Sequence, residues 1–146
     1  MGNYDILVFC ETRKGQINRV SAEILGKSVE LNKSLKAKVA AVVIGDKADL
    51  LASKAAAYGA DKVYTVSHPK LKYYENEAYA YIMADLIKKY SPYIVLFGSS
   101  EIGDDLAPRT AAKVGTGLTS HCVDLRVGEE KEYPLLYQTV PAWGGS

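Results

Sequence analysis

Short apolar runs rich in β-branched residues recur along the first two thirds of the chain, at positions 6–10, 39–44, 63–66 and 94–97. Nearly continuous apolar runs of this length are typical of strands that are buried on both faces of a sheet. Two further runs, 118–127 and 132–139, lie near the C-terminus. The pattern therefore predicts four buried strands followed by a pair of terminal strands.

Segments with helical spacing separate the first four runs. Ile17, Val20, Ile24, Leu25 and Leu31 recur on one side of the first segment, while charged residues occupy its other sides. An Ala-rich helix is predicted over 46–58 and ends at Gly59, where glycine accepts the left-handed conformation. Helices are also predicted over 79–90, closed by Ser91 and Pro92, and over about 104–114, ending at Gly115.

The alternation of strands and helices predicts one α/β domain over residues 1–146, with a doubly wound, mostly parallel sheet. The C-terminal pair departs from the alternation, because only the polar residues 128–131 separate its two strands. A turn this short favours an antiparallel hairpin at the edge of the sheet.

Composition excludes several functions that depend on the whole surface. The 146 residues are 48% hydrophobic and 24% charged with a net charge of +1, so no broad basic field is available to capture nucleic acid or anionic membrane. No signal peptide or membrane-spanning run is found, which favours the cytoplasm. Cys10 and Cys122 are predicted to be free thiols, because no CxxC or histidine pair accompanies them.

A site in such a sheet is expected beyond the carboxyl ends of the strands, where the strand order reverses. Two loops follow strands that meet there, at positions 10–16 and 98–105. The second loop leads into a helix whose free N–H groups favour anions, and its glycines would let a ligand approach the backbone. The candidate binding residues are Gly98, Ser99, Ser100, Glu101, Gly103 and Arg109.

Known catalytic and nucleotide-binding motifs do not fit this loop. Gly98 and Gly103 have P-loop spacing, but Asp104 stands where that motif has lysine. No GxGxxG or GxSxG occurs, and neither His68 nor His121 lies near a nucleophile in the sequence. No catalytic residue and no metal site is therefore predicted.

Two residues of the following helix leave alternatives open. Asp104 and Asp105 stand where the helix is predicted to begin, and a cap or first-turn charge explains them without a ligand. Arg109 either pairs with Asp105 one turn earlier or reaches outward to a neighbouring domain or subunit.

The segment 98–125, GSSEIGDDLAPRTAAKVGTGLTSHCVDL, resembles the N-terminal domain of the electron transfer flavoprotein alpha subunit. The resemblance extends to ILVF at 6–9, YGADKVY at 58–64 and QTVPAWGG at 138–145, and so covers nearly the whole chain. Val140 departs from the arginine that often precedes Pro-Ala in this family, and Ser146 stands where asparagine is usual.

This resemblance implies a Rossmann-like domain of the adenine-nucleotide-binding type within an FAD-containing alpha/beta heterodimer. Such a heterodimer carries electrons from dehydrogenases to a downstream acceptor, and the flavin supplies the redox chemistry. In the family, a C-terminal domain, absent from this chain, holds most of the FAD, and AMP is expected in the beta subunit. The expected role is thus that of a carrier subunit with a vestigial crevice.

Two alternatives of other classes remain at this point. A stand-alone adenine-nucleotide-binding module would use the two crevice loops, with analogy of fold as its other support. A small hydrolase would use Asp105 or His121.

Overall fold

The computed structural model describes residues 6–35, 38–92, 94–98, 100–115, 118–122 and 135–139. Its strands are β1 (Ile6–Cys10), β2 (Thr12–Arg13), β3 (Gln16–Ile17), β4 (Val39–Gly45), β5 (Lys62–Ser67), β6 (Ile94–Phe97), β7 (Leu118–Cys122) and β8 (Leu135–Thr139). The helices are α1 (Arg19–Leu35), α2 (Ala52–Ala57), α3 (Asn76–Tyr90) and α4 (Glu101–Val114). Short 3₁₀ turns at Ala48–Leu51 and Pro69–Leu71 follow β4 and β5.

Six strands form one sheet in the order β5-β4-β1-β6-β8-β7. The central strand β1 pairs in parallel with both neighbours, so that Val8 lies beside Ala41 of β4 and Leu96 of β6. All five residues of β1 are buried, as its continuous apolar pattern predicts.

Helices cover both faces of this sheet, which confirms the predicted doubly wound α/β fold. Ile6 and Val8 pack with Leu25 of α1 on one face. Leu7 and Phe9 contribute to the core on the other face, which also contains residues of α3 and α4 (Tyr79, Met83, Leu106 and Ala107). Because alternate residues of one strand feed two cores, neither face of β1 is left to solvent.

The predicted antiparallel hairpin at the C-terminus is wrong. The strands β7 and β8 are parallel, with Leu118 beside Leu136 and Thr119 beside Tyr137, and β8 lies between β6 and β7. A parallel pair cannot be joined by a four-residue turn, because the chain must return to the edge where the first strand began. β7 ends at Cys122 and β8 begins at Leu135. The residues between them, which include the predicted turn at 128–131, lie outside the described residues.

The helix ends follow the predicted signals more closely than the helix starts. Gly59 and Gly115 adopt positive φ angles of 121° and 85°, and Ser91 closes α3 at a φ of 48°. The predicted helix over 46–58 divides into a 3₁₀ turn and the shorter α2. In α4 the first helical residue is Glu101 and the cap is Ser100, three and four positions before the predicted start.

A small antiparallel hairpin, β2–β3, follows β1 and was not predicted. Thr12 pairs with Ile17 and Arg13 with Gln16. The two residues between the strands, Lys14 and Gly15, have φ angles of 53° and 74°, as a two-residue turn of type I′ requires. The hairpin contacts β4 and so lies over the carboxyl edge of the sheet. In the described part of the chain, no helix is long and apolar enough to cross a membrane.

Candidate functional site

The strand order reverses at β1, because β4 lies on one side of it and β6 on the other. We call the space beyond the carboxyl ends of β1 and β6 the switch-point crevice. The loops after these strands meet there through a hydrogen bond of 2.5 Å, which the Ser100 hydroxyl donates to the Glu11 carboxylate. The same hydroxyl accepts the Gly103 backbone N–H at 3.0 Å and so caps α4. The backbone N–H of Glu11 in turn donates to Ser21 of α1.

The two glycines of this crevice bring parts of the chain together. A Cβ on Gly103 would lie 1.8 Å from the Gly98 carbonyl oxygen, and a Cβ on Gly98 would lie 2.8 Å from a methyl group of Val20. Close packing against backbone therefore accounts for Gly103, whereas a side chain at Gly98 would require Val20 to shift. Ser99, the remaining loop candidate, lies outside the described residues.

The charge of the switch-point crevice is unfavourable for a phosphate. A cleft of about 470 Å³ is lined there by Glu11 and Glu101, with Arg13 as the cation among its described lining residues. Glu101 and Asp104 also occupy the first turn of α4, where their negative charges already complement the helix dipole. A phosphate at this helix end would meet the carboxylates of Glu101 and Asp104, and the Gly103 N–H there is already bonded to Ser100.

Arg109 lies on the side of α4 that faces α3, and it pairs with Asp105, which is the first of its two predicted alternatives. Its Nε donates to Asp105 Oδ2 at 3.0 Å, and its Nη1 lies 3.7 Å from Glu77 Oε2 of α3. The Tyr74 hydroxyl donates to the same Asp105 oxygen at 2.6 Å. The hydrogen bonds from Tyr74 and from Arg109 together lower the pKa of Asp105 below its usual value. Asp105 thus anchors the loop before α3 to α4.

A second concavity, which we call the β4 cavity, opens beside the switch-point crevice. Its volume is about 640 Å³. The β2–β3 hairpin, the end of β4, the 3₁₀ turn after β4, the loop before α3 and one residue of α4 enclose it. Its lining residues are Thr12, Arg13, Lys14, Gly15, Gly45, Asp46, Lys47, Ala48, Leu50, Leu51, Lys72, Tyr73, Tyr74 and Ile102.

The two predicted loops supply only part of the β4 cavity: the loop 10–16 supplies its hairpin side, and the loop 98–105 supplies Ile102. Lys47 and Lys72 follow β4 and β5, whose apolar runs predict strands and no binding site. Since the carboxyl ends of parallel strands meet at one edge, the residues that follow every strand of the sheet belong to one candidate region, and this is the signal that points to Lys47 and Lys72.

Among the described side chains, the histidine and the cysteine are engaged or buried. The Nδ1 atom of His68 accepts the Lys70 backbone N–H at 3.1 Å and caps a 3₁₀ turn. Cys10 is buried at the end of β1, and this burial raises the pKa of its thiol to about 12. A thiol in this environment stays protonated and is a poor nucleophile. The side chains of His121 and Cys122 lie outside the described residues.

Comparison with known proteins shows one family. A family model described as the electron transfer flavoprotein domain matches residues 6–146. The chain is 42% identical to the electron transfer flavoprotein subunit alpha of Thermoanaerobacterium thermosaccharolyticum, over 100% of this chain and 44% of that protein. It is 36% identical to the acryloyl-CoA reductase electron transfer subunit beta of Anaerotignum propionicum, over 90% of this chain and 36% of that protein.

A third relative is part of a dehydrogenase. The chain is 38% identical to the lactate dehydrogenase (NAD(+),ferredoxin) subunit LctC of Acetobacterium woodii, over 97% of this chain and 33% of that protein. The chain thus spans less than half the length of each of these curated relatives.

Proposed function

The chain belongs to the electron transfer flavoprotein domain family, and we propose that it is the N-terminal domain of an alpha-type subunit. In this proposal the subunit pairs with a beta subunit in an FAD-containing heterodimer that carries electrons from dehydrogenases to a downstream acceptor in the cytoplasm. The observation that carries the proposal is the family match over residues 6–146. Relatives that are named as electron transfer subunits support the same role.

The switch-point crevice does not fit the diphosphate of FAD. The Gly103 N–H already donates a hydrogen bond to the Ser100 hydroxyl, and the Ser100 hydroxyl already donates one to the Glu11 carboxylate. An added diphosphate would have to break both bonds and would lie beside Glu101. We therefore propose that the FAD is held mostly outside these 146 residues, and that AMP belongs to the beta subunit.

The domain then acts as a scaffold and not as a catalyst on its own. The flavin, when bound elsewhere in the complex, supplies the electron-carrying chemistry. The buried, protonated Cys10 and the capping role of His68 are consistent with a structural contribution from this chain.

Co-expression tests this function. Two forms of the chain would each be produced together with a beta subunit. The first form is the 146-residue chain, and the second is the same chain fused to the C-terminal region of a relative's alpha subunit. The purified complexes would be compared by visible absorbance. We expect the chain to co-purify with the beta subunit, and the continued form to add a flavin band that a dehydrogenase with its substrate bleaches. Failure of the continued form to bind either the beta subunit or flavin would contradict the proposal.

A further inference from the structure

We propose that the β4 cavity binds a phosphorylated small molecule that carries a planar ring, with its phosphates between the β2–β3 hairpin and the loops after β4 and β5. This proposal is independent of where the FAD is held. It rests on three properties of the cavity: its unpaired cations, its open glycine floor and its exposed ring.

The first property is a concentration of positive charge. Arg13, Lys14, Lys47 and Lys72 line the cavity, and Asp46 is the carboxylate among its described lining residues. Among the described side chains, none of these four cations has an ion-pair partner within 4.0 Å. Because the whole chain carries a net charge of only +1, this grouping is local to the cavity. Four unpaired cations around a concavity attract a polyanion.

The second property is the floor of the cavity at the end of β4. Gly45 is buried, yet a Cβ placed on it would meet no atom within 4 Å. The space that a side chain at position 45 would take up is therefore open to the cavity and is not filled by another part of the described protein. With a volume of about 640 Å³, the cavity is in the size range of sites for small organic ligands.

The third property is apolar surface at the rim. Tyr73 and Leu50 are 76% and 70% exposed and both line the cavity. The Lys72 ammonium lies 5.6 Å from the centre of the Tyr73 ring, which places a cation beside an aromatic face. A planar ring stacked on Tyr73 would cover this surface while its phosphates reach the cations.

Calorimetric titration of the full chain, in the complex in which it purifies, tests the proposal with ADP as the probe. Inorganic pyrophosphate and adenosine are titrated separately, to divide the phosphate contribution from the ring contribution. We expect saturable binding of ADP that is tighter than that of either fragment. Equal affinity for pyrophosphate and ADP would overturn the role of the ring.

Three variants assign the binding to this cavity and not to another nucleotide site in the complex. Lys47→Glu with Lys72→Glu should weaken ADP binding by at least about tenfold, which corresponds to about 1.4 kcal/mol. The matched control, Lys54→Glu with Lys88→Glu, changes the net charge equally at exposed positions outside the cavity lining, and it should leave the affinity nearly unchanged. Gly45→Val should also weaken binding, because it fills the floor without altering charge.

Absence of saturable ADP binding at millimolar concentration would overturn the proposal. The proposal would also fail if the control variant, Lys54→Glu with Lys88→Glu, weakened ADP binding as much as Lys47→Glu with Lys72→Glu does. The lysine variants keep the test valid if Gly45→Val does not fold. Flavin content of the same complexes, measured by absorbance, reports on the proposed electron-transfer role separately.

Discussion

The two concavities at the carboxyl edge of the sheet lie side by side, but they differ in the charge of their lining and in whether the protein's own contacts close them. In the switch-point crevice, where the topology of the sheet alone predicts a site, Glu11 and Ser100 bond across the gap. In the β4 cavity, a glycine floor is left open, and the lining cations have no ion-pair partner among the described residues. The topology of the sheet thus determines where a crevice can form, and the side chains determine whether an anion can enter.

Arg13 and Ile102 mark the boundary between the two regions, since both line the β4 cavity and the cleft at the switch point. On one side of Arg13 the neighbouring charges are the carboxylates Glu11 and Glu101, and on the other side they are three lysines and one carboxylate, Asp46. The β2–β3 hairpin therefore separates an acidic crevice from a basic cavity within a few residues of chain.

The largest expected difference is between glycines of the two regions. Gly103→Ala should lower the free energy of unfolding by about 3 kcal/mol, because the new Cβ would lie on a backbone oxygen that cannot move without shifting β6 or α4. Gly45→Ala is the matched control and should change stability little, since its Cβ meets open space. Urea unfolding of both variants measures the difference. Equal losses would show that the switch-point crevice is not closed by this contact.

A smaller loss is expected from Ser100→Ala. This change removes the cap of α4 and the bond to Glu11 together, and cap removal alone costs about 1 kcal/mol. Ser53→Ala, at an exposed position of α2, is the control and should stay within about 0.5 kcal/mol of the parent. If the two serine variants unfold at the same urea concentration, Ser100 does not hold the crevice closed.

The same comparison shows what the sequence could and could not predict. The buried strands and the ends of helices at Gly59 and Gly115 follow from local residue patterns, and the structure confirms them. The pairing of β7 with β8 depends on where the chain returns to the sheet, which no local pattern specifies. The turn at Lys14 and Gly15 carried a recognisable signal, because a glycine at the second turn position suits a two-residue hairpin.

The candidate site was predicted less well than the fold, for a physical reason. The glycine spacing at Gly98 and Gly103 predicts room for a ligand, but a sequence cannot show whether the space beside a glycine is empty or filled by its own chain. Gly45, whose missing side chain does leave space, ends a strand without any motif around it. The cations of the β4 cavity likewise come from three separate segments and meet only in the folded protein.

Tyr74 joins the β4 cavity to α4, the helix that begins at the switch-point crevice, because it lines the cavity and donates to Asp105 of α4. This bond is the main cause of the lowered pKa of Asp105. A carboxyl whose folded pKa is lowered stabilises the protein above its unfolded pKa of about 3.9, and this stability is lost as pH falls through the folded value. Tyr74→Phe should therefore be less stable than the parent at pH 7, and the gap should narrow below about pH 4.

Denaturant unfolding at several pH values measures this gap. Tyr81→Phe is the control, because Tyr81 is 68% exposed on α3, and its stability should follow that of the parent at every pH. A gap for Tyr74→Phe that stays constant into the acid range would show that the bond does not favour the charged form of Asp105.

The smallest effect on stability is expected from Arg109→Ala. The Arg109 and Asp105 side chains are each 39% exposed, and exposed ion pairs contribute little because solvent screens them. Arg19→Ala is the matched control, since Arg19 forms a similar pair with Glu23 one turn later at 3.2 Å and a side-chain exposure of 91%. Both variants should melt close to the parent. Because Arg109 also approaches Glu77 of α3, its donors are directed within the chain, and Arg109→Ala should keep any affinity that the parent chain shows for the proposed beta subunit. A variant that melts normally but loses the beta subunit would instead place Arg109 in the subunit interface, and α4 would then join the closed crevice to a binding surface.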